Sequence, residues 1–265
     1  MAYKNWVEYS GSTLTTSETE QGERVVSNLK TRESDDVWRV DVTSDTAASV
    51  EVDFGEDRAV DVVTHQFPRG DYPGVSEEDP AYNSADTIQY LLKDAADVTL
   101  WDSGASASGL VTGYMTHWKR PSSTITARKL VVNYVATNRV TAGFFDVGNI
   151  GAWPIIEPSV GIAYPAGFGW DANNGIKETT AGKRYTARFD PLRRWSFIFD
   201  ALSNDESMEL DEMIRYSGGA RQIFARRGDL PSGKDAMHCL VQSAREIESA
   251  TPEIRGLSMA LKEFI

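Results

Sequence analysis

Three histidines and a single cysteine are the side chains best suited to nucleophilic, acid–base or metal chemistry in this sequence: His65, His117, His238 and Cys239. Their spacing gives them little to do together. A zinc site draws its His and Cys ligands from closely spaced pairs, and the histidines here are widely separated, each in or beside a strand-like stretch. His238 and Cys239 are adjacent, but neighbours on a strand point to opposite faces, which denies the thiol its imidazole. A lone cysteine in an apolar run reads first as a small buried side chain. The G-x-S-x-G elbow, the two glycine-rich phosphate loops and the D-x-D-x-D-G calcium loop are absent. The acidic clusters Asp35-Asp36 and Glu77-Glu78-Asp79 could offer oxygen ligands to calcium, but read first as solvated loop charge. Glycoside cleavage needs two carboxyls roughly 5 Å or roughly 6.5–9.5 Å apart, and nothing in the sequence selects a pair. The expectation is a protein that is not an enzyme and carries no cofactor and no metal.

Aromatic and basic residues carry the remaining signal. Tyr72, Tyr82, Tyr114 and Trp118 fall in stretches that read as loops, where aromatic rings stack on sugars or anchor protein interfaces. Tyr72, Tyr82 and Trp118 are the candidate ligand-loop residues, with Lys119-Arg120 beside the last. A second set suits contacts between chains: Trp153 and Trp170 in an aromatic connector, Arg193 and Arg194 before Trp195, and Glu209 and Arg215 on a helix.

These residues need elements to hold them, and the patterning predicts mostly strands. Val37–Thr43, Ser49–Phe54 and Ala59–His65 alternate apolar with polar residues, Gly55 breaking the run between the last two. Thr87–Lys93, Asp97–Trp101, Thr124–Val135 and Gly143–Val147 follow. Pro68–Asp86 is a long polar loop, a length usually reserved for function or mobility. Trp195, Phe197 and Phe199 alternate in a strand that ends at Asp200. Ser203 and Glu206 then form a capping box, Leu210, Met213 and Ile214 share a helical face, and Gly218-Gly219 supply the stop. This is the one convincing helix, too short to stand without a sheet beneath it. Arg221–Arg226, Met237–Val241 and Gly256–Phe264 complete a β–α–β–β–β block.

Composition divides the chain the same way. Of its 265 residues, 41% are hydrophobic, enough for a proper core, and the net charge is −12. Residues 1–150 hold 13 basic against 23 acidic side chains, whereas residues 186–265 hold 11 against 13. An acidic first half disfavours nucleic-acid backbones and anionic membrane surfaces. No apolar run is long enough to cross a membrane as a helix, and MAYKNWVEYS has no basic region followed by an apolar stretch, which predicts no signal peptide. A single cysteine allows no disulfide within the chain, in keeping with a reducing cytoplasm. Residues 1–29 read as an N-terminal arm, 30–150 as a jelly-roll-like β-sandwich, 151–185 as an ordered aromatic, Gly- and Pro-containing connector, and 186–265 as the small α+β block.

Two stretches also carry a family resemblance. SNLKTRESDDVWRV followed by ASVEVDFGEDRAVDVVTHQF is similar to galactose-binding-like sandwich domains of the discoidin type, matched at Trp38, Val50, Val52, Asp53, Phe54, Gly55 and Val60. DVGNIGAWP and RRWSFIFDALSNDESMELDEMI resemble minor tail or baseplate proteins of long-tailed bacteriophages. The resemblance implies a mainly β protein in which a galactose-binding-type sandwich is joined to a ring-forming β–α–β–β–β domain. It further implies a distal-tail virion component, made in the bacterial cytoplasm, assembling with itself as a hexameric ring and meeting tail tube, hub and fibre proteins. A lectin-like module that binds host-surface glycans is the alternative, and a sugar-active hydrolase on the same scaffold is a third reading.

Overall fold

The computed structural model describes residues 1–16, 18, 23–30, 38–41, 47–66, 87–107, 116–135, 144–159, 161–171, 174–178, 184–188, 192–227, 235–247 and 255–263. The chain is mainly β, with one α-helix among the described residues. It divides into two compact units. Unit 1 takes Met1–Ile155 and Phe224–His238, and unit 2 takes Ile156–Ile223 and Cys239–Phe264.

Unit 1 is an antiparallel sandwich built from β1 (Thr13–Thr16), β2 (Trp38–Asp41), β3 (Ala47–Val60), β4 (Val62–Gln66), β5 (Thr87–Lys93), β6 (Thr99–Asp102), β7 (Ser106–Ala107), β8 (Thr116–Lys119), β9 (Ile125–Val135), β10 (Phe144–Val147) and β11 (Ile150–Trp153). One sheet has the order β1-β3-β9-β5-β6, with β7 also paired to β5. Opposite it lie β11-β4-β8 and the pair β10-β2. The period-2 pattern does its expected work. Val50, Val52 and Phe54 of β3 turn inward together with Ile88, Tyr90 and Leu92 of β5 and Leu130, Val132 and Tyr134 of β9. They meet Trp38, Val40, Val63, Val147 and Ile150 in one core, where each buried Val, Leu or Ile contributes about 1.5–3 kcal/mol.

One expectation fails here for a local reason. Gly55 does not break the strand. β3 runs through it with a register shift between Asp53 and Arg58, and Gly55 takes φ +82° while donating its N–H to Asp53 Oδ1 at 2.8 Å. A Cβ there would lie 2.7 Å from the Gly11 carbonyl oxygen, so the position needs glycine both for its conformation and for the close approach. The N-terminal residues are anchored within unit 1. Asn5 donates to the Ile150 carbonyl and accepts from Ala152 N–H. Trp6 Nε1 donates to the Ala59 carbonyl at 2.8 Å, and the rings of Trp6 and Tyr9 hold the Arg58 guanidinium at 4.6 and 4.3 Å. β1 then pairs with β3.

The remaining elements are β12 (Ala163–Asp171), the pair β13 (Asn174–Glu178) and β14 (Arg184–Arg188), β15 (Leu192–Leu202), α1 (Asn204–Ser217), β16 (Ile223–Arg226), β17 (Ala236–Ile247) and β18 (Arg255–Glu263). The five-stranded sheet has the order β12-β15-β18-β17-β16, and the division between units falls within β16 and β17. Trp195, Phe197, Phe199, Met259 and Leu261 are buried on one face of β15 and β18, and α1 buries Leu210, Met213 and Ser217. The capping box at Ser203 and Glu206 is present, and Gly218 in the left-handed region closes the helix. Glu206 does more than cap. Its Oε1 also accepts the Ser159 N–H, and these bonds hold its carboxyl down at about 2, tying the residues before β12 to the helix N-terminus.

Candidate functional site

One end of the unit 1 sandwich is defined by strand register. In the larger sheet Ala47 pairs with Val135, Val135 with Thr87, and Thr87 with Ala107. Across the sandwich Gln66 pairs with Thr116 and Asp41 with Phe144. Four segments therefore start and finish at these pairs. Segments 42–46 and 136–143 run between the Asp41/Phe144 and Ala47/Val135 pairs, and segments 67–86 and 108–115 between Gln66/Thr116 and Thr87/Ala107.

Side chains hold the two layers level just inside that end. Tyr134 OH hydrogen-bonds His65 Nδ1 at 2.9 Å, and Tyr90 OH hydrogen-bonds His117 Nδ1 at 2.8 Å. Each tyrosine comes from the larger sheet and each histidine from the smaller one. His65 and His117 are also cross-strand partners, one residue from Gln66 and Thr116. Both rings are buried. Burial holds His65 well below the usual imidazole range, with His117 and His238 adding to the effect, and lowers His117 to about 3, with Lys119 adding to it. Both are neutral near pH 7. His238 lies nearby in the same unit, its ring edge-on to Trp153 and Phe224. Among the described residues no three His, Cys, Asp or Glu side chains are placed to hold a metal ion.

Of the residues singled out in the sequence, Tyr72 and Tyr82 lie outside the described residues, as do Tyr114 and the acidic clusters. Trp118 is described, and it sits in strand β8 instead of a loop. The Arg226 guanidinium lies 4.1 Å from its ring centroid, with Asp235 3.9 Å from Arg226, so one ring face is taken. Trp153 is fully buried and donates to Thr64 Oγ1 at 2.8 Å. Arg193 is buried too, gripping Glu263 Oε1 through Nε and Nη2 at 2.8 and 2.6 Å, while its backbone N–H donates to Oε2. Trp153 and Arg193 thus belong to the interior and offer nothing to another chain. Their size and charge suggested contact surfaces, but each has its partner within its own unit.

The other candidates remain outside. Trp170 is 47% exposed and Arg194 approaches Asp171 at 3.8 Å. Arg215 pairs with Asp211 on the exposed side of α1, and Glu209 is exposed there as well. Phe168, 44% exposed, joins Trp170 on the same face of β12. The sequence reads here as part of a connector, whereas the structure forms β12; the Gly-Phe-Gly-Trp alternation at period 2 is the signal that could have shown a strand with its two aromatics on one side. Cys239 is buried, its thiol raised far above its usual range by that burial, with its Sγ 3.6 Å from the Ile223 carbonyl. It has neither the access nor the charge of a nucleophile.

No protein-family model matches the chain, and no curated protein matches it. Among solved structures, the chain is similar to the family 32 carbohydrate-binding module of C. perfringens NanJ in complex with galactose, at 12% identity and a TM-score of 0.44, covering 58% of this chain and 100% of that one. It is similar to the lectin domain of lectinolysin complexed with Lewis B antigen, at 14% identity and 0.44, over 57% and 97%. A fucose-binding module from Streptococcus pneumoniae matches at 12% and 0.41, over 57% and 95%.

Proposed function

We propose that the chain is a non-catalytic binding protein whose first unit takes a glycan at the end of the sandwich marked by the Ala47/Val135, Thr87/Ala107 and Gln66/Thr116 pairs. The observation that carries the reading is the register of these strand ends, held level by the two Tyr–His contacts. Binding residues concentrate on the segments that join such ends because a rigid sheet can aim them. These segments hold Phe67, Tyr72, Tyr82 and Tyr114 together with Arg69, Arg139 and several carboxylates. Tyrosine rings stack on sugar faces and their hydroxyls add hydrogen bonds, while carboxylates and guanidinium groups match pairs of sugar hydroxyls. The residues behind the galactose-binding-like resemblance support the same reading, because Trp38, Val50, Val52, Phe54 and Val60 all lie in the unit 1 core.

Galactose, fucose and Lewis B antigen are the glycans to try first, on an array probed with the full chain. Retention of one of them, lost in Tyr72→Ala or Tyr82→Ala and kept in Trp170→Ala, is the expected result. An array on which no glycan is retained overturns the reading.

A second reading has its own support. Phe168 and Trp170 stand exposed on β12, at the edge of the unit 2 sheet, and an apolar strand edge is a natural docking surface. In this reading the chain is a virion component of a phage tail tip, forming a ring with copies of itself and joining tail-tube, hub and fibre proteins. Light scattering on the purified chain tests it: a ring-sized species supports it, and a strict monomer at high concentration contradicts it.

A further inference from the structure

We infer that the guanidinium of Arg58 is the seat of a second binding site on unit 1, one that takes the carboxylate of a small ligand. The inference does not rest on the glycan reading. The glycan end is marked by Ala47, at the start of β3, whereas Arg58 lies near the other end of that strand, paired with Ala127.

The site grows out of the irregular stretch of β3. The register shifts between Asp53 and Arg58, and Glu56 and Asp57 between them are exposed. An irregularity of this kind re-aims the side chain that follows it. Here it brings the Arg58 guanidinium against two rings, 4.6 Å from the centroid of Trp6 and 4.3 Å from that of Tyr9. The rings stand edge to face, 6.4 Å apart, and Trp6 is fixed in turn by its bond to the Ala59 carbonyl. Ring faces hold a guanidinium in place and strip it of water, but they give its N–H groups no oxygen to bond.

Arg58 Nε and Nη2 are buried and make no hydrogen bond among the described residues. These two atoms form the edge of a guanidinium that grips a carboxylate through parallel N–H bonds. The same chain shows that edge in use, where Arg193 donates to Glu263 through Nε and Nη2. At Arg58 the Glu56 carboxylate lies beside Nη2 as an ion pair, without the geometry of a hydrogen bond. The Glu56 side chain is 62% exposed, so water can take it back. Glu56 is thus a tethered placeholder, which a ligand carboxylate displaces to take both N–H groups. The half-exposed Tyr9 ring lies beside the body of such a ligand. Glu56 and Asp57 oppose a doubly charged ligand more than a singly charged one, which selects a carboxylate over a phosphate.

Calorimetric titration of the full chain with benzoate tests the site, with benzamide as the uncharged control of the same shape. Benzoate is expected to bind saturably, benzamide not at all, and inorganic phosphate more weakly than benzoate. Glu56→Gln removes the competing carboxylate and should tighten benzoate about two- to fivefold, the range of an exposed ion pair. Arg58→Lys keeps the charge but loses the paired N–H groups, and should weaken benzoate about tenfold or more. No saturable binding of benzoate overturns the inference, as does equal binding of benzamide or tighter binding of phosphate. An affinity unmoved by Glu56→Gln also overturns it, because an Arg58 that merely braces Trp6 and Tyr9 gives that result. Glu56→Gln decides the matter alone, so failure of Arg58→Lys to fold leaves the test intact. No probe here is a sugar, so the outcome stands apart from that of the glycan array.

Discussion

Unit 1 and unit 2 both bury polar side chains, with a different emphasis. Unit 1 relies chiefly on neutral groups, Tyr134 and Tyr90 on His65 and His117, Trp153 on Thr64, and Asn5 on the backbone of β11, with Asp235 beside Arg226 as its charged exception. Unit 2 uses a full ion pair, Arg193 with Glu263, in a cross-strand setting at the β15/β18 boundary. A neutral contact costs little to bury, but it fails once one partner gains a proton. A buried ion pair costs much more to desolvate and fails when one partner is removed. The two units should therefore respond to different perturbations.

The largest effect is expected from Arg193→Ala, which strands the Glu263 carboxylate in the interior and should destabilise unit 2 by about 3–5 kcal/mol. Urea unfolding followed through exchange of the β15 and β18 amides measures it. The double change Arg193→Met with Glu263→Leu sharpens the point, since removing both charges should restore most of the loss. If the single and double variants are equally unstable, the pair is not what holds that boundary.

Acid should act next, and on the other unit. Between about pH 7 and about pH 5, each histidine kept neutral by folding costs about 2 kcal/mol, or about 4 kcal/mol for His65 and His117 together. The loss begins as pH falls below the ordinary imidazole value and deepens towards the folded value, about 3 for His117. Urea midpoints of unit 1 at the two pH values check it. An unchanged midpoint would erase the contrast between the units.

Smaller effects test local supports. Gly55→Ala should cost unit 1 about 1–3 kcal/mol, because alanine is strained at positive φ and its Cβ meets the Gly11 carbonyl. Thermal unfolding measures this, and a neutral outcome would show that β1 and its neighbours yield easily. Ser203→Ala removes the helix cap and should cost unit 2 about 1 kcal/mol, read as a lower urea midpoint with unit 1 unaffected.

How much of this could be read in the sequence depended on range. The alternation in β3, β5, β9 and β15 and the Ser203/Glu206 capping box are local patterns, and local patterns were enough. Gly55 misled because a glycine that bends a strand looks like one that ends it until the opposing Gly11 carbonyl is in view. Trp153 and Arg193 looked like surface contacts because nothing nearby in the chain could satisfy an indole or a guanidinium; their partners, Thr64 and Glu263, lie 89 and 70 positions away. The Tyr134–His65 contact was hidden for the same reason, its partners lying 69 positions apart. The sequence named Tyr72 and Tyr82 as loop aromatics, and strand register gives the end of the sandwich from which their segment departs. Trp118 misled because its ring partner, Arg226, lies in the distant stretch that folds with unit 1.

The central proposal is that unit 1 takes a glycan at the end marked by the Ala47/Val135, Thr87/Ala107 and Gln66/Thr116 pairs. Exchange of the full chain with and without the glycan retained on the array tests that location directly. Added protection in segments 67–86, 108–115 and 136–143, with β12 unchanged, is the predicted result. Protection appearing on β12 around Phe168 and Trp170 instead, with the segments unchanged, would contradict it.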